Sequence, residues 1–236
     1  MRRRSLFLAS VAVLFAGLGT FEARAGNVPL PATLDLLLPA GSTAVVVGAE
    51  TLTFSNFGYS PTPVAGSVPA SGVNVLPFTL GNETGITYTA GWFAAAGQTV
   101  DIALTYVVTA PARELINDVY LGLTGGVFGG TGQISVGETL RNATTGAFIA
   151  TLEASIPGQL VSTGTFDGVQ SILVTKDILL VGGSKGATVS IVDQGFSSTT
   201  VPEPTSMALL GIGMAGFFAY GRLIKRRSAV PSGQSA

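Results

Sequence analysis

Val100-Asp101-Ile102-Ala103-Leu104-Thr105-Tyr106-Val107-Val108 is the stretch that decides the fold class. Val100, Ile102, Leu104, Tyr106 and Val108 alternate with Asp101, Ala103, Thr105 and Val107. Successive side chains of an extended segment point to opposite faces, so this pattern puts one apolar face on a core and leaves the other more polar. Similar short runs lie at Thr43 to Val47, Thr51 to Phe57, Val73 to Leu80, Ile86 to Phe93, Phe148 to Ala154, Gln170 to Lys176, Ile178 to Val181 and Ala187 to Val192. Turn-rich breaks separate them, among them Gly81 to Gly85, Thr144 to Gly146, Phe166 to Gly168 and Gly182 to Gly186. Strands at this spacing predict an all-β ectodomain, an antiparallel β-sandwich or jelly roll. Ala112 to Tyr120 is the one internal segment that reads as a turn or two of helix. The glycines of Gly182 to Gly186 supply the positive φ angles of a hairpin turn.

Chemistry is narrowed by what the chain lacks. It has no histidine and no cysteine. Ser-His-Asp and Cys-His catalysis, the usual zinc and haem sites and disulfide stapling are therefore excluded, and no cofactor is called for. The enzyme class that survives is a carboxylate pair of the glycoside hydrolase kind. Its candidates are Glu50, Glu83, Asp101, Glu114, Asp118, Glu138, Glu153, Asp167, Asp177 and Asp193, and no spacing selects two of them. The expectation is a non-enzyme. Gly125 to Gly132 lacks the Lys-Ser/Thr of a phosphate loop and reads as a Gly-rich loop or edge. Asp167-Gly168 and Asp193-Gln194-Gly195 lack the ligand series of a calcium loop, so no metal site is assigned. Trp92, with Phe93 and Tyr88, is the candidate sugar-stacking platform, weighed against the core positions that strand aromatics more often fill.

The two ends carry addresses. Arg2 to Arg4, the apolar run Leu6 to Leu18 and Ala23-Arg24-Ala25 have the order of a secretory signal peptide, residues 1–25, cut before Gly26. At the other end Val201-Pro202-Glu203-Pro204 precedes an apolar span, residues 207–224, about 27 Å long at ~1.5 Å per residue against a hydrocarbon core of roughly 30 Å. Arg222, Lys225, Arg226 and Arg227 then stop transfer and place the tail, 225–236, in the cytoplasm. The boundaries expected are an ectodomain over 26–196, a linker with the Pro-Glu-Pro motif over 197–206, a single C-terminal transmembrane helix over 207–224 and the basic tail.

Removing both ends changes the electrostatics. Residues 26–206 carry twelve acids against four bases, Arg113, Arg141, Lys176 and Lys185, a net charge of −8 where the whole chain has −1. Such a surface repels nucleic acid and keeps an apolar, Gly-rich domain soluble.

Val201 to Pro204, the apolar Ser206 to Gly221 and the basic Arg222 to Arg227 together resemble the PEP-CTERM sorting signal of exported bacterial proteins, also labelled "ice-binding protein C-terminal domain". The resemblance covers about thirty residues and departs from its usual form in the nine that follow the basic cluster. It implies cleavage near Pro-Glu-Pro by an exosortase-like membrane enzyme and delivery to the cell surface or extracellular matrix. It does not imply ice binding. The stretch Ser171 to Ser197 is also similar to the last hairpin of many PEP-CTERM ectodomains, which implies closing strands over Gln170 to Val181 and Ala187 to Phe196.

The reading is thus an exported, non-catalytic surface or matrix protein, held transiently in the inner membrane. Its partners are the export machinery, signal peptidase, an exosortase-like enzyme, the membrane and, as a further candidate, extracellular polysaccharide. The alternatives are a carbohydrate-binding or adhesive module and a carboxylate-dependent glycoside hydrolase.

Overall fold

Period-two burial carries twelve strands into two antiparallel sheets that face each other. The computed structural model describes residues 26–63, 67–201, 209–217 and 220. The strands are β1 (Ala32–Thr33), β2 (Thr43–Val47), β3 (Thr51–Thr62), β4 (Asn74–Leu80), β5 (Glu83–Ala94), β6 (Thr99–Thr109), β7 (Glu114–Val127), β8 (Gln133–Asn142), β9 (Phe148–Ile156), β10 (Val161–Val169), β11 (Ser171–Val181) and β12 (Ala187–Thr200). One sheet has the order β1-β4-β5-β12-β7-β10 and the other β2-β3-β6-β11-β8-β9. From β5 onward every connection between the described strands except β8–β9 crosses from one sheet to the other, which interleaves the strands as a jelly roll does.

The alternation read in Val100 to Val108 is realised in β6. Val100, Ile102, Leu104, Tyr106 and Val108 are buried, and they meet the inward residues of the facing sheet, among them Ile86, Tyr88, Val119, Leu121, Val192 and Phe196. Tyr106 joins the core aromatics, its ring centroid 5.9 Å from that of Phe54 and 6.3 Å from that of Tyr88. This shared interior makes one core from both sheets.

Three expectations are corrected. Ala112 to Tyr120 contains no helix among the described residues; from Glu114 it is strand β7. Its partner β12 shifts register between Ser197, opposite Asp118, and Ser198, opposite Ile116, so Asn117 is an extra residue. That bulge sets Ile116 and Val119 three apart on one face, a spacing that imitates a helix.

The Gly182 to Gly186 connection is not a hairpin turn. β11 pairs with β6 and β8, and β12 pairs with β5 and β7 in the opposite sheet. The connection instead packs on the neighbouring crossover from β5 to β6, through Gly182 N–H to Gln98 O (2.8 Å) and Gly97 N–H to Gly183 O (2.8 Å). The approach is so close that a Cβ on Gly182 would lie 1.9 Å from Ala95 O.

Ser197 to Thr200, expected as linker, continues β12, whose pairing with β7 runs to Thr200 opposite Glu114. The next residue makes one further bond, Val201 N–H to Arg113 O at 2.8 Å. Of the apolar span 207–224, residues 209–217 and 220 are described and are helical, with Leu209, Leu210, Ile212 and Phe217 exposed. No helix among the described residues is long and apolar enough to cross a membrane. The signal peptide (1–25), Pro202 to Pro204 and Arg222 to Arg227 lie outside the described residues.

Close backbone approach makes a test of the packing. A Cβ on Gly85 would meet the Gln194 carbonyl oxygen at 1.8 Å, whereas one on Gly91 of the same strand meets nothing within 4 Å. Gly85→Ala is expected to destabilise by about 3 kcal/mol or more and Gly91→Ala by less than ~0.5 kcal/mol, read by urea denaturation of the two variants.

Candidate functional site

Aromatic rings and carboxyl groups converge on the outer face of the sheet that contains β12. Gly195 of β12 lies opposite Gly85 of β5 on one side and Tyr120 of β7 on the other, and Gly85 in turn lies opposite Phe78 of β4. Two bare positions therefore separate two aromatics in one cross-strand row. The rings of Phe78 and Tyr120 close over the gap, nearly parallel at 17° with centroids 5.5 Å apart. A Cβ at Gly195 would come within 3.0 Å of the Phe78 ring and 2.8 Å of Glu83 Cβ, so only glycine leaves the rings and the acid this room.

Carboxyl groups flank the rings. Burial, the charge of Asp118, a hydrogen bond with Asp118 and the charge of Glu50 together push the Glu83 carboxyl from 4.5 up to about 7. Near neutrality the Glu83 carboxyl thus holds its proton far more readily than an exposed glutamate does. Asp193, two residues along β12 from Gly195, accepts a hydrogen bond from Thr87 Oγ1 at 2.5 Å. Burial, Asp193 and Glu83 raise the Tyr120 hydroxyl above its ordinary value, so the phenol stays a neutral donor. Glu50 is held by Ser198 N–H at 2.6 Å, and Ser198 Oγ bonds Glu114 Oε2 at 2.8 Å. Glu50 and Asp118 line a cavity of about 500 Å³ with Asn82, Asn117, Phe166 and Ser197 to Thr199.

A second acidic pair sits on the outer face of the other sheet. A hydrogen bond with Asp101, then burial and the Asp101 charge, push Asp177 from 3.8 up to about 6. Beside it Thr139, Thr151, Glu153 and Thr175 line a shallower depression of about 380 Å³.

The candidates from sequence are thus sorted. Trp92 and Tyr88 are buried at 1% and 0% exposure and fill the core; of that trio only Phe93 is exposed, at 51%. The stacking pair that does face outward, Phe78 and Tyr120, was not picked out, because its members come from strands separated in the chain and meet only across Gly85 and Gly195. Among the acids, Glu83 with Asp118 and Asp101 with Asp177 are the pairs that the fold brings together. Each is hydrogen-bonded, closer than the roughly 5 to 9.5 Å that glycoside hydrolysis uses. Among the described residues no group of three acids is placed to hold a metal ion. The face as built can stack apolar area on a flat ligand and accept hydrogen bonds from hydroxyl groups beside it.

Residues 200–227 match the PEP-CTERM protein-sorting motif. The chain therefore carries a PEP-CTERM sorting signal, that of an exported, membrane-transit sorted protein with an exosortase-type processing partner. No curated protein matches the chain. Among solved structures it is similar to TmCBM61 in complex with beta-1,4-galactotriose, at 12% identity and TM-score 0.34, over 62% of this chain and 90% of that one. It is also similar to the enzymatically active domain of the bacteriophage CBA120 tailspike protein 4, at 15% identity and TM-score 0.28, over 60% of this chain and 19% of that one.

The raised Glu83 carboxyl gives the site a pH signature. Because the folded pKa of Glu83, about 7, lies above its ordinary 4.5, the folded state binds the proton more tightly than the unfolded chain. The stability this contributes is full below pH ~4.5 and is lost as pH rises through about 7. Glu83→Gln cannot ionise and is expected to flatten this fall, so its melting temperature should drop less than that of the wild type between pH 5 and pH 8. Equal drops in the two proteins contradict the assignment.

Proposed function

We propose that this chain is an exported, non-catalytic protein of the cell surface or extracellular matrix. Its β-sandwich is delivered by the PEP-CTERM tail and released by cleavage near Pro202-Glu203-Pro204. One observation carries this reading: the sorting motif begins at residue 200, where β12 ends. A processing enzyme that reads the Pro-Glu-Pro segment then meets chain that follows the last sheet hydrogen bond, and cutting there removes no strand. In this reading the apolar span 207–224 is a temporary anchor, Arg222, Lys225, Arg226 and Arg227 hold its end in the cytoplasm, and the signal peptide is cut between Ala25 and Gly26. Terminal peptide mapping of the protein from its native host tests it. The expected mature form starts at Gly26 and ends between Val201 and Thr205. Recovery of intact Arg222 to Ala236 on the surface-bound form contradicts it.

The Phe78–Tyr120 pair favours a second reading, in which the delivered sandwich binds polysaccharide. Parallel rings present an apolar plane, and Asp193 and the Glu83–Asp118 pair beside it offer acceptors for sugar hydroxyls. Tyr120→Ala is expected to weaken retention on an immobilised neutral glycan about tenfold, ~1.4 kcal/mol, without moving the melting temperature. A wild-type protein that passes through such columns unretained removes this reading.

A further inference from the structure

Lys176, Glu138 and Gln194 meet in the sealed interior, and no surface function uses them. Lys176 on β11 lies directly opposite Glu138 on β8 in one sheet, and Gln194 reaches in from β12 of the facing sheet. Lys176 and Gln194 are 0% exposed and Glu138 2%. Lys176 Nζ donates to both Glu138 Oε2 and Gln194 Oε1. Gln194 Nε2 donates to the backbone carbonyl of Tyr120 at 3.0 Å, which fixes the plane of the carboxamide. Glu138 Oε1 and the buried hydroxyls of Tyr88 and Tyr106 make no hydrogen bond among the described residues.

We propose that Lys176 and Gln194 are joined by an autocatalytic intramolecular amide bond that ties one sheet to the other, with Glu138 as the proton carrier. The three groups needed are an amine, a carbonyl carbon with a departing group, and an acid that can move protons between them. Lys176 Nζ touches two carbonyl-bearing groups, the Glu138 carboxyl and the Gln194 carboxamide. Glu138 would have to lose hydroxide with no second acid to protonate it, whereas Gln194 can release its nitrogen as ammonia once Glu138 has protonated it.

Burial prepares both reactive groups. It lowers Lys176 and raises Glu138 against their mutual attraction, so it disfavours the ammonium–carboxylate form and favours an amine beside a neutral acid. The Nζ lone pair attacks Gln194 Cδ, and the carbonyl electron pair moves to Oε1, which takes the Glu138 proton. Glu138 then accepts a proton from the attacking nitrogen and passes it to Nε2. As the carbonyl re-forms, the Oε1 proton returns to Glu138, the Cδ–Nε2 bond breaks and ammonia leaves. Lysine amine and glutamine amide thereby become one secondary amide and one ammonia, with no oxidant or co-reactant. Burial on both faces keeps water from competing for the tetrahedral carbon. The Tyr88 and Tyr106 hydroxyls, held protonated above all by their burial, add O–H dipoles to the same pocket.

The test is a tryptic map of the denatured full-length protein. Cleavage is available after Arg141, Lys176 and Lys185. The expected product is residues 142–185 uncut at Lys176 and joined to the peptide that begins at Gly186, lighter by one ammonia than the two separate peptides. Linear peptides ending at Lys176 and beginning at Gly186 overturn the proposal. So does a link from Lys176 to the peptide 114–141 with loss of water, which would place the bond on Glu138. In Gln194→Met, cut after Lys176 is expected to return completely. In Glu138→Ala the same is expected, with near-UV circular dichroism reporting the fold; a persistent link in that variant removes Glu138 from the reaction.

Discussion

The structure turns on how the Lys176 amine and the Glu138 carboxyl are tolerated between two sheets of apolar side chains. An isolated buried charge costs several kcal/mol even after the protein relaxes. Lys176 is accommodated because Glu138 lies directly across the ladder and Gln194 reaches it from the facing sheet. Such a demand is specific in a way apolar contact is not. It requires β8 and β11 to pair in one register and sets β12 opposite them at one height, so it selects one alignment of the two sheets. Removing any one partner leaves a buried polar group stranded, which in comparable settings costs about 3 to 5 kcal/mol.

The same three side chains govern how far the sequence could be read. β6 was fully legible because all five of its inward positions are apolar. By alternation alone β11 falls into two fragments, Gln170 to Lys176 and Ile178 to Val181, because Lys176 interrupts the series Ile172, Val174, Ile178 and Leu180 that points inward; the resemblance to PEP-CTERM ectodomains implies it whole, over Gln170 to Val181. β8 escapes the pattern because Glu138 stands among Ile134, Val136 and Leu140, and alternation alone ends β12 at Val192, two residues before Gln194, where the resemblance carries it to Phe196. A polar residue at an inward position reads in sequence as the end of a strand; only the partner from another strand reveals it as core. Elsewhere the reasons differ. The bulge at Asn117 gave β7 a helical spacing, and β10, whose nine residues include no fully buried one, has no apolar face to detect.

Legibility of the outer surface follows from distance along the chain. Phe78 and Tyr120 are meaningless as a pair until β5 and β12 stand between them with glycine at both intervening positions. Glu83 and Asp118 likewise come within hydrogen-bonding reach only through the fold. The tail is the opposite case: a local pattern of Pro-Glu-Pro, apolar span and basic cluster needs no tertiary partner, and it was readable at once. The acidic surface it delivers was equally open to counting, once both ends were set aside.

Fold and address therefore join at one residue, with β12 pairing through Thr200 and Val201 making the last backbone bond to Arg113. The sandwich is therefore expected to hold without the sorting motif that starts where β12 ends. Thermal unfolding of a chain ending at Val201, beside the full-length protein in the same detergent buffer, is the decisive measurement. One cooperative transition at the same midpoint is expected in both; a lower midpoint or a lost transition in the shortened chain would show that the tail supports the fold.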